Sequence, residues 1–513
     1  MLRILRFVAL GGLLATAAIV LPRGAAAQDA AKPVSGGTLN VGFVDDAKSL
    51  DPAHSVAWSE RQILFLIYDN LINIGTDFSL KPRLATSWSF ENDNKRIILH
   101  LRDGVKFHDG TDFNAEAVKW NLEWRMQADE NSPQRNQLEP VIANIEAVNV
   151  DTVVINLNKP FPPLLALLTD RAGLMVSPTA VKKYGKDFGS NPVGTGPFVF
   201  KEWIRGNQIV LDRNPNFWQN GQPYLDRVTF NDIPAAVVGI QRLTTGELDF
   251  VPELTPQDTG LIENNPQLKL VQVPVGEWFA LQWQVDKPPF NNLKLRQAIA
   301  HAIDRKRLNA IVWSGRGTVA TSETPPGLWW SPPETDSYPY DPALAKQILA
   351  DSGVAPGTEL TLSAPSDNTL RSLVTLVKEN LEAIGLHVRL EPIGQSDWYA
   401  RVIARKINFT PMRWTQRADP DGLIQFLYDS KGAANSTGYN NPEVDKLIAE
   451  AQTMADPVER KPIYDRIHQI VANDLPYVSV AFGGAYEAMN KKVGGYVNMP
   501  DLIPRYRDMW KLP

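Results

Sequence analysis

The chain has 513 residues, 43% hydrophobic and 21% charged, with 57 acidic against 52 basic side chains and a formal net charge of −5. That balance suits a globular protein of two or three domains and excludes a disordered, collagen-like or many-span membrane chain. Mild acidity offers nucleic acid no basic stripe, so no such partner is expected. The absence of cysteine excludes disulfides, thiolate metal sites, Cys nucleophiles, iron–sulfur clusters and a lipidated-cysteine anchor together.

Residues 1–27 read as an export signal: Arg3 and Arg6 lead, an apolar stretch runs from Phe7 to Leu21, and Ala25-Ala26-Ala27 precedes Gln28-Asp29. The stretch is broken by Gly11-Gly12 and is short for a bilayer core, so cleavage after Ala27 is expected rather than anchoring. A free periplasmic protein, not a lipoprotein, is the expected product.

Beyond it, helix and strand signals alternate, predicting an α/β chain. Alternating apolar residues predict strands at Leu39–Phe43, Ile97–Leu101 and Val153–Leu157. Candidate boundaries lie near Val273–Phe279, where the chain passes from acidic loops into a strand running through Trp278–Trp283, and near Pro476–Phe482. These two are the candidate crossovers between two lobes, with the chain returning to its first lobe at the end. Leu295, Ile299, Ala302 and Ile303 recur at helical spacing, with Arg296 and Arg305 outside that stripe. The Pro- and Gly-rich run Gly317–Tyr340, around Trp329-Trp330, is too long for an ordinary connector and predicts a structured surface loop. Asp341-Pro342, Asn441-Pro442 and Asp456-Pro457 each put a side-chain acceptor before a proline at the first helical position. Asn408–Trp414 predicts a strand despite Pro411, followed by a loop at Thr415–Pro420.

Enzyme signatures fail. The six histidines form no metal-binding pair, and His108 before Asp109-Gly110 fits a turn. Gly194-Thr195-Gly196 lacks the third glycine of a dinucleotide loop, and Arg417 spoils an EF-hand at Asp419-Pro420-Asp421-Gly422. There is no nucleophile elbow and no Walker loop. No cofactor and no metal are expected. An exported two-carboxylate hydrolase such as a glycosidase stands as the alternative reading, because spacing alone does not exclude it.

Several blocks in order resemble the extracytoplasmic solute-binding proteins of family 5, the peptide/nickel/opine class of ABC importers. They are Gly36-Gly37-Thr38-Leu39, Ser49-Leu50-Asp51-Pro52, Tyr68-Asp69-Asn70-Leu71, Leu84-Ala85-Thr86-Ser87-Trp88, His100 to Gly110, Gly194-Thr195-Gly196-Pro197-Phe198, Arg213-Asn214-Pro215, Leu295-Arg296-Gln297-Ala298-Ile299 and Ile303-Asp304-Arg305. Trp414 with Asp419-Pro420-Asp421 resembles that family's pocket-closing loop. The resemblance implies a two-lobed periplasmic-binding-protein fold (class II, cluster C type). Lobe 1 would hold residues 28–276 and 481–513, with an inserted subdomain at about 71–190; lobe 2 would hold 277–480. It also implies a monomer that traps a small-molecule or peptide-like ligand by hinge closure and docks on an inner-membrane ABC permease.

The loop beyond a strand's carboxyl end is where α/β lobes build pockets. Arg413, Trp414, Arg417 and Asp419 are therefore placed at a cleft edge, with Asp419 also suited to cap the helix starting at Pro420. Ser55, Trp58, Trp278, Trp329 and Tyr439 are the further ligand-binding candidates. Peptide-binding members resemble one another in an aspartate three residues before this Asp-Pro, where Gln416 stands here. Gln416 cannot neutralise an ammonium, and the two arginines point to an anionic or polyhydroxylated solute such as an opine, a sugar acid or a modified oligosaccharide.

Overall fold

The computed structural model describes residues 32–44, 47–355 and 357–513, without the side chains of Trp58, Pro274, Val275 and Ser396. The export signal expected at residues 1–27 lies outside the described residues. No helix among the described residues is long and apolar enough to cross a membrane.

A nine-stranded mixed sheet is the frame. Its path runs Phe409–Thr415, Leu268–Trp283, Tyr477–Asn490, Phe250–Leu254, Thr38–Phe43, Arg227–Asp232, Gln208–Arg213 and Phe198–Ile204, and Thr318–Val319 pairs with Tyr477–Asn490 off the path. Thr38–Phe43 is parallel to both neighbours and every other pairing is antiparallel. The predicted strand carrying Pro411 is real, and it lies on the sheet's edge, where a missing N–H breaks no ladder on the open side.

Two strands are unusually long: Leu268–Trp283 has 16 residues and Tyr477–Asn490 has 14. They pair along most of their length, with register shifts between Val273 and Glu277 and between Phe279 and Ala280. A shift of this kind bends a strand and re-aims its side chains. Glycine is needed opposite the first: a Cβ on Gly484 would lie 2.4 Å from the Val273 carbonyl oxygen.

The cores divide along the chain. One gathers residues from Phe279 to Ala481, and another gathers Leu39 to Val271 together with Met489–Met509. A third, from Leu71 to Met175, packs the four-stranded sheet of Ala85–Glu91, Arg96–Leu101, Thr152–Leu157 and Ile142–Ala147. A fourth joins distant segments, since Ile74 and Phe78 of the hairpin Ile72–Pro82 bury against Trp330 and its neighbours.

The predicted helix caps are present. Asp341 accepts from the amides of Ala343 and Leu344, Asn441 from Glu443 and Val444, and Asp456 from Val458. One expectation needs correction: Arg296 and Arg305 are buried. The two guanidiniums donate there to backbone carbonyls of other segments. Arg296 reaches Phe290 and Asp474 at 2.6 and 2.7 Å, and Arg305 reaches Ser479 and Tyr338, both at 2.8 Å.

Candidate functional site

Several sequence blocks singled out above meet in space as scaffold. Gly194 and Gly196 press against the carbonyls of Ile67 and Leu66, so close that any Cβ would collide with them. The Gly196 carbonyl accepts from Asn214 at 3.0 Å and lies 3.0 Å from His108 Nε2. Asp69, fully buried, accepts from Arg83, Arg507 and the Trp218 indole. His108 and Asp69 are thus tied to fixed partners in the fold and are not poised for chemistry. No group of three or more metal-ligating side chains occurs among the described residues.

A cleft of about 1380 Å³ opens beside the long strands. One wall comes from Ser55–Ala57, Arg61 on helix Trp58–Ile67, Lys159, Asp170 and Arg171; the other comes from Glu277, Asp367 and the strand and loop carrying Arg413–Asp419. Glu253, Tyr486 and Glu487 line it as well.

Four of the expected ligand residues line this cleft: Ser55, Arg413, Arg417 and Asp419. Ser55 is buried, donating to Glu60 at 2.6 Å and accepting from Arg171 at 3.3 Å. Arg413 lies 3.9 Å from both Glu277 and Asp367, in ion-pair range but beyond hydrogen bonding. Burial pushes the Glu277 carboxyl up, and Arg413 offsets only part of that rise. Asp419 is occupied: Arg460 donates to both its oxygens at 2.6 and 2.7 Å, and the Asp421 amide donates to one at 2.9 Å. The helix starts at Asp421, one residue later than expected, with Pro420 at its N-cap. Asp419 lies one residue before that cap, and its carboxylate is engaged by Arg460 and the first helical amide. Trp58 opens helix Trp58–Ile67 between the lining residues Ala57 and Ser59.

Trp278 and Tyr439 are corrected by burial, while Trp329 and Trp414 are half-buried and do not line the cleft. Trp278 is fully buried and donates its indole N–H to Ser479 at 3.0 Å, so it is core. Tyr439 is buried and donates to Asp474 at 2.6 Å. Trp329 packs edge-on to Trp330 and Tyr464 under Arg460. Trp414 is half-buried, edge-on to Phe426 between two cores. The sheet's alternation turns Trp278 and Trp414 inward while Arg413 faces the opening.

Arg417 differs from its neighbours. Its side chain is solvent-exposed within the cleft and has no hydrogen bond or ion pair among the described residues. Cleft walls and the nearby Arg61 hold its guanidinium below the usual arginine value, with Asp170 and Asp501 opposing. Gln416 beside it is buried and donates to the Glu323 carbonyl at 2.8 Å. Behind it, burial opposes charge on Glu323 and His468, yet their 2.6 Å contact lowers the carboxyl and raises the imidazole, an ion pair that fixes the loop. Sequence reasoning missed Arg61, Asp170, Arg171 and Glu487. No spacing marks them, because each reaches the cleft through tertiary placement.

The family model of bacterial extracellular solute-binding proteins, family 5 Middle, matches residues 79–435. The glutathione-binding protein GsiB of Salmonella typhi is 30% identical over 464 residues, covering 88% of this chain and 90% of the relative. Among solved structures, the Helicobacter pylori periplasmic binding protein DppA, in complex with the peptide STSA, superposes with a TM-score of 0.80 at 25% identity, covering 93% and 98% of the two chains. The binding protein AgaA from A.tumefacien R10, in complex with agropinic acid, gives 0.78 at 26% identity over 93% and 99%.

Proposed function

Because the chain belongs to the bacterial extracellular solute-binding proteins of family 5, carriers for ABC transporters and not enzymes, we propose that it captures a small anionic solute, peptide-like or opine-like, in this cleft. The hydrolase alternative falls with that membership. Capture follows from hinge closure about the two long strands, with lobes dividing near Gly276–Glu277 and Val480–Ala481. The loaded form is then handed to an inner-membrane permease.

One observation carries the ligand class: Arg417, an unpartnered cation at the position next to Gln416, where the neutral amide leaves no charge for an ammonium. A guanidinium facing open space is suited to a carboxylate, which it binds through two parallel N–H donors. GsiB and AgaA, named for glutathione and solved with agropinic acid, support carboxylate-bearing solutes of this size. Sugar acids remain within the same chemistry.

The test is native mass spectrometry of protein purified from its own periplasm, followed by thermal denaturation with dipeptides, glutathione, agropinic acid and sugar acids. A true solute at one hundred times its Kd stabilises by about 2.7 kcal/mol and is not consumed. Consumption of the solute in proportion to protein, or stabilisation by cationic solutes alone, overturns the reading.

A further inference from the structure

Arg417 does not stand alone. Across the cleft, Arg61 is 6% exposed and donates to Asp170 at 2.7 Å, while its Nε lies buried without a hydrogen-bond partner among the described residues. Arg171 lies 3.7 Å from the same Asp170 oxygen and donates to the Ala57 carbonyl at 2.6 Å. One carboxylate thus serves two guanidiniums on one wall, and a third approaches from the other. Burial opposes ionisation of Asp170, but Arg61, Arg171 and Arg417 together hold it down to about 2. Burial also lowers Arg171, to about 10, with Arg61 and Arg417 adding to the fall. Two further acids lie near: Glu60, which with Asp170 opposes the fall at Arg171, and Asp501, already bound by Arg505.

We propose that Arg61, Arg171 and Arg417 form a carboxylate-binding subsite split between the cleft's two walls, and that the solute supplies the charge without which those walls repel. This rests on the carrier reading above and assigns a carboxylate of its ligand to this subsite. Arg61, Arg171 and Arg417 stand against Asp170 and Glu60, which leaves one positive charge that a solute carboxylate offsets. Closure is then selected by charge: a solute shifts the open–closed balance only by what it binds better in the closed form, and here that difference is electrostatic. A neutral analogue of equal shape gains nothing from the subsite.

The chain's lack of cysteine makes the test direct. Glu123→Cys and Lys346→Cys, both at exposed positions on different walls' supporting elements, carry a spin-label pair whose distance reports closure. At low ionic strength, millimolar glutarate is expected to shorten that distance and glutaramide to leave it unchanged. Arg417→Gln is expected to enrich the closed population without any solute and to weaken glutarate's effect at least about tenfold, while Arg417→Lys keeps the open state. Raising NaCl should mimic Arg417→Gln in the unliganded protein, because screening weakens the repulsion. Equal responses to glutarate and glutaramide, no response to either, or an Arg417→Gln distance distribution identical to wild type overturns the subsite. If glutathione closes wild type and Arg417→Gln equally, the subsite fails while the carrier reading survives. If no periplasmic solute closes any variant, the carrier reading itself fails.

Discussion

Glu487 carries an unfavourable charge in the cleft. Burial raises its carboxyl to about 8; the Tyr496 hydrogen bond opposes that rise and Glu253 adds to it. Against an unfolded value of about 4.3, the folded chain holds a proton that the unfolded chain releases. Stability from this group is therefore greatest in acid, falls as pH rises from about 4 to about 8, and levels off above. Glu487→Gln is expected to raise the unfolding free energy by about 1–3 kcal/mol at pH 9 and to change little at pH 4, as read by urea denaturation at both. An equal effect at the two pH values contradicts it. Asp419 makes the opposite case, a carboxylate satisfied by a buried partner. Arg460→Met strands it, with an expected loss of about 3–5 kcal/mol. The double variant Arg460→Met with Asp419→Asn recovers most of that loss in a double-mutant cycle.

Elements place these side chains. The strand Phe409–Thr415 pairs residue by residue with Leu268–Trp283, so Trp414 lies opposite Trp278 and Arg413 opposite Phe279. Alternation then decides which of the two faces the opening. The register shift between Val273 and Glu277 re-aims the strand just before Glu277 enters the cleft wall. Gly484→Ala, whose Cβ would meet the Val273 carbonyl, tests this junction. The variant is expected to lose about 1–3 kcal/mol and to alter solute affinity, measured by denaturation and calorimetry. Unchanged affinity in a destabilised variant would separate the junction from closure.

At the scale of the molecule, the long paired strands are shared by cores that otherwise divide along the chain. The proposed closure would turn about these strands and change the cleft while leaving both cores packed, the general pattern of hinge closure. Protein stripped of its co-purified solute is expected to show a smaller radius of gyration in X-ray scattering once that solute is restored. An unchanged profile over a saturating range counts against closure. The hairpin contact of Phe78 with Trp330 joins the two sides at the cleft's flank and is expected to persist in the closed form.

Local signals sufficed where the physics is local. Period-two alternation marked the strands at Leu39–Phe43, Ile97–Leu101 and Val153–Leu157, and the Asp-Pro and Asn-Pro pairs marked helix starts, because a strand's face and a cap's acceptor are set within a few residues. The order of the motif blocks, through their resemblance to family 5, also identified the fold, and His108, Gly196 and Asn214 of those blocks meet in it. The cleft was only half legible. Arg413, Arg417, Asp419 and Ser55 line it, but a tryptophan looks the same in sequence whether it walls a pocket or fills a core, and Trp278 fills a core. Arg61, Asp170 and Arg171 came together only when folding set two guanidiniums beside one carboxylate. Electrostatic groupings of this kind depend on distances between residues far apart in the chain, and those distances exist only in the folded molecule.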